Sequence, residues 1–220
     1  PLLGSAENPF TIDNRAQLNL FRDGINTGLP FKYKHFTIPA LGANTCFLQT
    51  VDINMPTSNW VSIGRGTSVP FMGTYDGGNH AVIGWRHSTA EYAFFCYTDN
   101  ATIKNLTMRA VRSTNNLGVL IYSMKGGVVD NCHAEGNTGI KGGLIYETGV
   151  AVDTAYILNS SNKNNIDGSE NVGGIVRQMG TKYNVMENCH NYGNVKGTTR
   201  VGGLVGWATQ NSGATLTMTG

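Results

Sequence analysis

Gly142-Gly143-Leu144-Ile145 returns as Gly173-Gly174-Ile175-Val176 and again as Gly202-Gly203-Leu204-Val205. A shorter copy, Leu117-Gly118-Val119-Leu120, precedes them, so the equivalent glycines 118, 143, 174 and 203 stand 25, 31 and 29 residues apart. Recurrence at this period marks a solenoid, an array or a propeller. A second anchor travels with the first. Asparagines 105, 131, 159 and 188, each following a β-branched or aliphatic run, are spaced by 26, 28 and 29 residues and precede their glycines by 12 to 15.

Each repeat holds short β-branched runs such as Gly127-Val128-Val129, divided by clusters of Asn, Gly, Ser, Thr and Asp, with no helical pattern between them. Strands separated by turns follow. Helical repeats need two amphipathic helices per unit, which this Asn and Gly content opposes. Leucine-rich repeats are shorter and denser in leucine, and propeller blades run nearer to about 40 residues. The fit is an all-β fold, a parallel β-helix in which one repeat winds once around the axis and like residues stack from coil to coil. Val119, Leu144, Ile175 and Leu204 are the expected inward stack, with a small residue before each so that the backbone turns or approaches its neighbour closely. The asparagines are expected to form a ladder at one corner, because Asn accepts left-handed turn conformations and bonds nearby backbone.

Residues 14 to 27 read as a helix that caps the first coil. Asn14 with Gln17 resembles a capping box, Leu18, Phe21 and Ile25 share a face, and Gly28 is a stop. Such a cap protects the unpaired edge of the first coil. The chain therefore reads as one β-helix domain over residues 1–220. It has a cap in 1–30, irregular N-terminal coils in 31–100, repeat coils in 101–211, and in 212–220 the start of a further strand or a C-terminal cap. It begins at Pro1 with no initiator methionine or signal-peptide pattern, as expected of a mature segment or an excised piece.

A resemblance becomes specific between the helix and the repeats. Asp52-Ile53, Asn59-Trp60-Val61-Ser62-Ile63-Gly64, Pro70-Phe71-Met72-Gly73-Thr74-Tyr75-Asp76-Gly77-Gly78-Asn79-His80-Ala81-Val82-Ile83-Gly84 and the later Val201-Gly202-Gly203-Leu204-Val205-Gly206 follow in order. This series resembles bacterial surface proteins with GLUG-type repeats, whose fold is similar to the pectin-lyase-like right-handed β-helices. The earlier copies at Gly118 and Gly142-Gly143 lack the final glycine. The resemblance implies a right-handed coil, an extracellular or cell-surface location, and adhesion or recognition of host or cell-wall glycan or protein. It brings no catalytic residue set.

Charged residues make up 14% of the chain and the net charge is +2, which leaves no basic stripe for nucleic acid. There is no apolar run long enough to span a membrane. The cysteines show no zinc spacing, and neither a metal nor a cofactor is expected. Cys132 and Cys189 share a phase two coils apart, roughly 9 to 10 Å, beyond disulfide reach, and are expected as stacked thiols beside Leu106 and Ser160. Cys46 and Cys96 pair only if the N-terminal coils bring them together.

A polysaccharide lyase or hydrolase of β-helix type is the competing reading, and it requires several carboxylates facing one groove. Asp130, Asp153, Asp167, Glu135, Glu147, Glu170 and Glu187 fall at differing phases. A structural spacer is the third reading. The candidate binding residues are Trp60, Tyr75, Asp76, His80, Trp85 and Tyr92. The aromatic ones offer either a row for sugar rings or packing under the cap. Asp76 and His80 offer a small polar cluster or a turn in which the carboxylate bonds local backbone.

Overall fold

The computed structural model describes residues 2–33, 35–55, 59–86, 92–112, 118–140, 142–149, 153–180, 182–209 and 214–220. Leu117 of the first Gly-aliphatic copy therefore lies outside the described residues.

Strands Phe10–Ile12, Cys46–Gln49, Thr74–Ile83, Thr102–Arg109, Gly127–Glu135, Thr154–Leu158, Tyr183–Glu187 and Thr215–Thr219 hydrogen-bond in that order in the main sheet. All of these neighbours run parallel. A second parallel sheet carries Phe95–Asp99, Ile121–Lys125, Ile145–Thr148, Val176–Met179 and Val205–Ala208, again one strand per coil. The chain is thus a parallel β-solenoid with one short helix near its start. The helix Arg15–Thr27 is capped by Asn14, whose Oδ1 accepts from the Gln17 amide at 3.0 Å, and it stops at Gly28 with φ 63°. The reciprocal bond of the expected box sits one residue early, since Gln17 Oε1 accepts from the Asp13 amide at 2.8 Å. Asn26 fastens the cap to the first coils by donating to the Ser62 carbonyl and accepting from the Gly64 amide, both at 2.8 Å.

Like residues stack as the period requires. In the main sheet Ile103, Val129, Ile157 and Met186 are register partners, each buried. Leu120, Leu144 and Ile175 form the second stack with no exposed surface, and Leu204 continues it partly buried; the register places Leu120 opposite Leu144, one residue after the Val119 expected from the spacing of the glycines, because the first copy is a residue longer between its glycine and its stacked side chain. The glycines before Leu144 and Ile175 are set by close approach, whereas Val119 holds that place before Leu120. A Cβ on Gly143 would overlap the carbonyl oxygen of Gly174, and one on Gly174 that of Gly203.

Asn105, Asn131, Asn159 and Asn188 all take the left-handed conformation, with φ between 49° and 53°. Their ladder is not continuous. Asn131 donates to Asn105 Oδ1 at 2.9 Å and Asn188 to Asn159 Oδ1 at 3.2 Å, but Asn159 donates to Asp130 Oδ1 at 2.8 Å. A carboxylate next to the corner is the stronger acceptor and breaks the ladder there.

All four cysteines are free, so Cys46 and Cys96 do not pair. Cys132 lies opposite Leu106, and its amide donates to Ser160 Oγ at 3.1 Å, the stack expected from its phase. Among the described residues no helix is long and apolar enough to cross a membrane.

Candidate functional site

Trp60, Tyr75 and Trp85, candidate binding residues with packing under the cap as the alternative, are core residues at 2%, 2% and 0% exposure. The physical reason is that the interior of the first coils is filled by rings, where the later repeat coils bury Val, Ile, Leu and Met. Phe10, Phe21, Phe47, Phe71 and Phe95 continue a packed aromatic column from the cap, with centroids 5.0 to 6.0 Å apart between successive rings. Trp60 stacks on Phe94 at 4.9 Å and donates its Nε1 to the Phe94 carbonyl. Tyr75 donates to Gln49 Oε1 at 2.9 Å, and burial pushes its hydroxyl pKa far up.

Asp76 sits in the strand Thr74–Ile83, at the start of a bulge rather than in a loop turn. Its Oδ1 accepts from the Gly78 amide at 2.9 Å and from Asn105 Nδ2 at 3.0 Å, while Lys104 lies 3.3 Å from Oδ2. Partial burial raises its pKa, and the bonds from Asn105, Gly78 and Lys104 outweigh that and hold the carboxyl below its ordinary value. Gly78 and Asn79 have φ 58° and 63°, and the main-sheet register shifts between Asp76 and His80. The bulge turns His80 away from Asp76 and toward Asp52, 3.4 Å from its Nδ1. Asp76 and His80 therefore do not form one cluster.

Several of the carboxylates are interleaved with cations along the axis, while Glu147, Glu170 and Glu187 have uncharged register partners and stand apart. Asp76, Lys104 and Asp130 are register partners, as are Arg109 and Glu135, Asp99 and Lys125, and Asp167 and Lys196. Arg109 meets Glu135 at 2.6 Å and Lys163 follows at 3.4 Å, which holds Glu135 below its ordinary pKa. Among the described residues no three His, Cys, Asp or Glu side chains are placed to hold a metal ion.

Of the aromatic sequence candidates Tyr92 is the exposed one, at 39%. It opens a row that sequence reasoning missed. On three strands of the second sheet two consecutive positions face outward, Tyr122 and Ser123, Tyr146 and Glu147, and Arg177 and Gln178. Tyr92 packs on Tyr122 at 4.5 Å, Tyr122 on Tyr146 at 5.0 Å, and the Arg177 guanidinium covers Tyr146 at 4.4 Å. Beside it runs Tyr97, Ser123, Glu147, Gln178 and Trp207, register partners from coil to coil. Tyr97 stands edge-on to Tyr122, and Arg200 covers Trp207 at 4.5 Å. Because Tyr122 and Tyr146 stack face to face, that row presents ring edges and hydroxyls. Burial, with Glu147 nearby, pushes Tyr122 up to about 12, so its hydroxyl is a donor at neutral pH. At the edge of this face a cleft of 280 Å³ is lined by Thr67, Pro70, Tyr97, Asp99, Ser123 and Lys125, with Gly149 at its far end.

Comparison with known proteins bears on the fold. The chain matches a crystal structure named "putative immunoglobulin A1 protease" from Bacteroides ovatus. That match has a TM-score of 0.70 and 20% identity, and it covers 98% of this chain and 69% of the other. At that identity it shows the fold alone. No protein-family model and no curated protein matches the sequence. The likeness to GLUG-repeat proteins accordingly rests on the residues quoted above.

Proposed function

We propose that this chain is a noncatalytic module of an extracellular bacterial surface protein, and that it recognises glycan or protein through the outward face of its second sheet. The observation that supports this reading is the pair of outward rows carrying Tyr92, Tyr97, Tyr122, Tyr146 and Trp207 with Arg177. The core does not require aromatic residues there, since the inner face of the same strands already packs Phe95, Ile121, Ile145 and Val176. Tyr, Trp and Arg are the residues that recognition surfaces concentrate.

The test is binding of the purified chain to glycan and matrix-protein arrays, beside the double variant Tyr122→Ser/Tyr146→Ser. Binding by the parent and its loss in a variant that still melts cooperatively is the expected result. Turnover of a polysaccharide, abolished by replacing one carboxylate, would overturn the noncatalytic reading. A spacer is the second reading, favoured by the many outward charges that pair with one another along the axis. Silence on both arrays would select it.

A further inference from the structure

Within the recognition reading, on which this inference rests, we propose that the cleft at Tyr97 is a subsite for one or two neutral hexose units of a glycan. Tyr97 is its stacking wall, and the Asp99–Lys125 pair is its hydroxyl-binding element.

The cleft exists because the repeat is broken at this point. The register row that begins with Asp99 and Lys125 continues at Gly149, directly after the partners Met124 and Thr148. Two large charged side chains are followed by none, and a trough opens along the axis. A Cβ at Gly149 would lie 3.3 Å from Ser123 Oγ, so a larger residue would begin to close it. In the neighbouring row Ser123 is the small residue between Tyr97 and Glu147. The lining runs across four coils, from Thr67 and Pro70 to Gly149, a length of about 14 Å at the ~4.8 Å inter-strand spacing. The volume, 280 Å³, lies near the lower end of ligand pockets, roughly 300–1,000 Å³. It suits a short saccharide segment.

The lining chemistry selects the ligand class. Lys125 Nζ donates to Asp99 Oδ2 at 2.9 Å, and Asn100 donates to the other carboxylate oxygen at 3.2 Å. The ammonium keeps two hydrogens and the carboxylate keeps free lone pairs. A strong donor and a strong acceptor thus stand side by side with no net charge between them. Adjacent ring hydroxyls, each both donor and acceptor, match that arrangement. The hydroxyls of Thr67 and Ser123 extend it, and the Tyr97 ring gives the apolar face of a sugar a surface to pack on. Acidic sugars are disfavoured. Asp153 sits behind the pair, 3.2 Å from Asn100 Nδ2, and Glu147 follows Ser123 in the outward row, so an added anion meets two further carboxylates.

Calorimetry and saturation-transfer NMR with gluco-, manno- and galacto-configured tetraoses, and with oligogalacturonate as the charged comparator, test the proposal on the intact chain. At least one neutral series should bind, with saturation passing to its ring protons, and oligogalacturonate should bind at least tenfold more weakly. Tyr97→Ala and Lys125→Met should each weaken binding roughly tenfold, and Ser123→Tyr, which fills the trough from the exposed face, should abolish it; thermal melts identify any variant that has lost its fold. Tighter binding of oligogalacturonate overturns the neutral-sugar assignment. Equal binding of a neutral tetraose by the parent, Tyr97→Ala and Ser123→Tyr overturns the cleft and leaves glycan recognition standing. Array binding of a matrix protein with no saccharide bound overturns the cleft while recognition survives. Silence toward both classes overturns the two together.

Discussion

Gly143 lies so close to Gly174 on the next coil that a methyl group on the first would overlap the carbonyl oxygen of the second. Backbone cannot yield there as a flexible side chain would, so Gly143→Ala and Gly174→Ala must push two coils apart. Overpacking of this kind costs about 1–3 kcal/mol, a fall of several degrees in the melting temperature of a domain this size. Gly203 has the same place in its motif but nothing within 4 Å. Calorimetry should show Gly203→Ala within about 0.5 kcal/mol of the parent. Equal losses at all three positions would contradict the close-approach explanation.

The charge rows give a second contrast. Glu135 lies between Arg109, at 2.6 Å, and Lys163, at 3.4 Å, with side chains partly in solvent. Glu135→Lys would place three cations on successive coils, and like charges directly opposite one another destabilise a sheet. At such exposure the loss should be on the order of 1 kcal/mol. In ~1 M salt, where the Debye length is about 3 Å, most of it should vanish. Denaturant melts at low and high salt measure the difference, and a loss that salt leaves untouched would point to packing instead.

What was legible in the sequence is what recurs. The inward stack from Leu144 onward, the left-handed asparagines and the helix cap each follow from a residue type at a fixed phase, while the single glycine of the first copy put Val119 where Leu120 stands. The charge rows were legible in hindsight, since Asp99 and Lys125, Arg109 and Glu135, and Glu135 and Lys163 are opposite charges 26, 26 and 28 residues apart, one repeat length each. The outward tyrosines were not legible. Tyr75 and Tyr122 both sit in strands of mixed residues, and only the bend of each coil decides that the first faces Phe94 and Phe95 while the second faces solvent. The break in the asparagine ladder was hidden for a related reason, because it depends on which of two neighbouring acceptors Asn159 reaches.

Thiol chemistry should report the same burial. Cys132 is fully enclosed, and burial pushes its thiol up to about 12, so little thiolate forms below that pH. Cys96 is also buried, while Cys46 and Cys189 are half-exposed. A brief iodoacetamide pulse at pH 8, read by peptide mass spectrometry, should modify Cys46 first and leave Cys96 and Cys132 intact until denaturant is added. Recovery of a Cys46–Cys96 linked peptide would contradict the free thiols.

Acid should weaken the fold in two stages. His133 is half-buried, its Nε2 donating to Asn131 Oδ1 at 3.0 Å and its Nδ1 hydrogen-bonded with Ser161 Oγ at 2.9 Å. Asn131 Oδ1 must be an acceptor, because its amide nitrogen already donates to Asn105 and Asn79. The Nε2 proton of His133 is thus fixed, and burial favours the neutral form of the ring. Burial first, then Lys163, lowers its pKa below the ordinary 6.5, and Glu135 opposes them. A base with a depressed folded pKa contributes its full stability above the unfolded value and loses it as pH falls from about 6.5 through the folded value. Glu135 and Asp76, also lowered, lose theirs as pH falls below their ordinary values of 4.5 and 3.8. All three act in one direction. Melting temperature should therefore decline first below pH 6.5 and again below about pH 4.5. Replacing His133 with Gln, which keeps a donor and an acceptor without a titrating ring, should flatten the first decline and leave the second. An unchanged first decline in His133→Gln would assign it to another group.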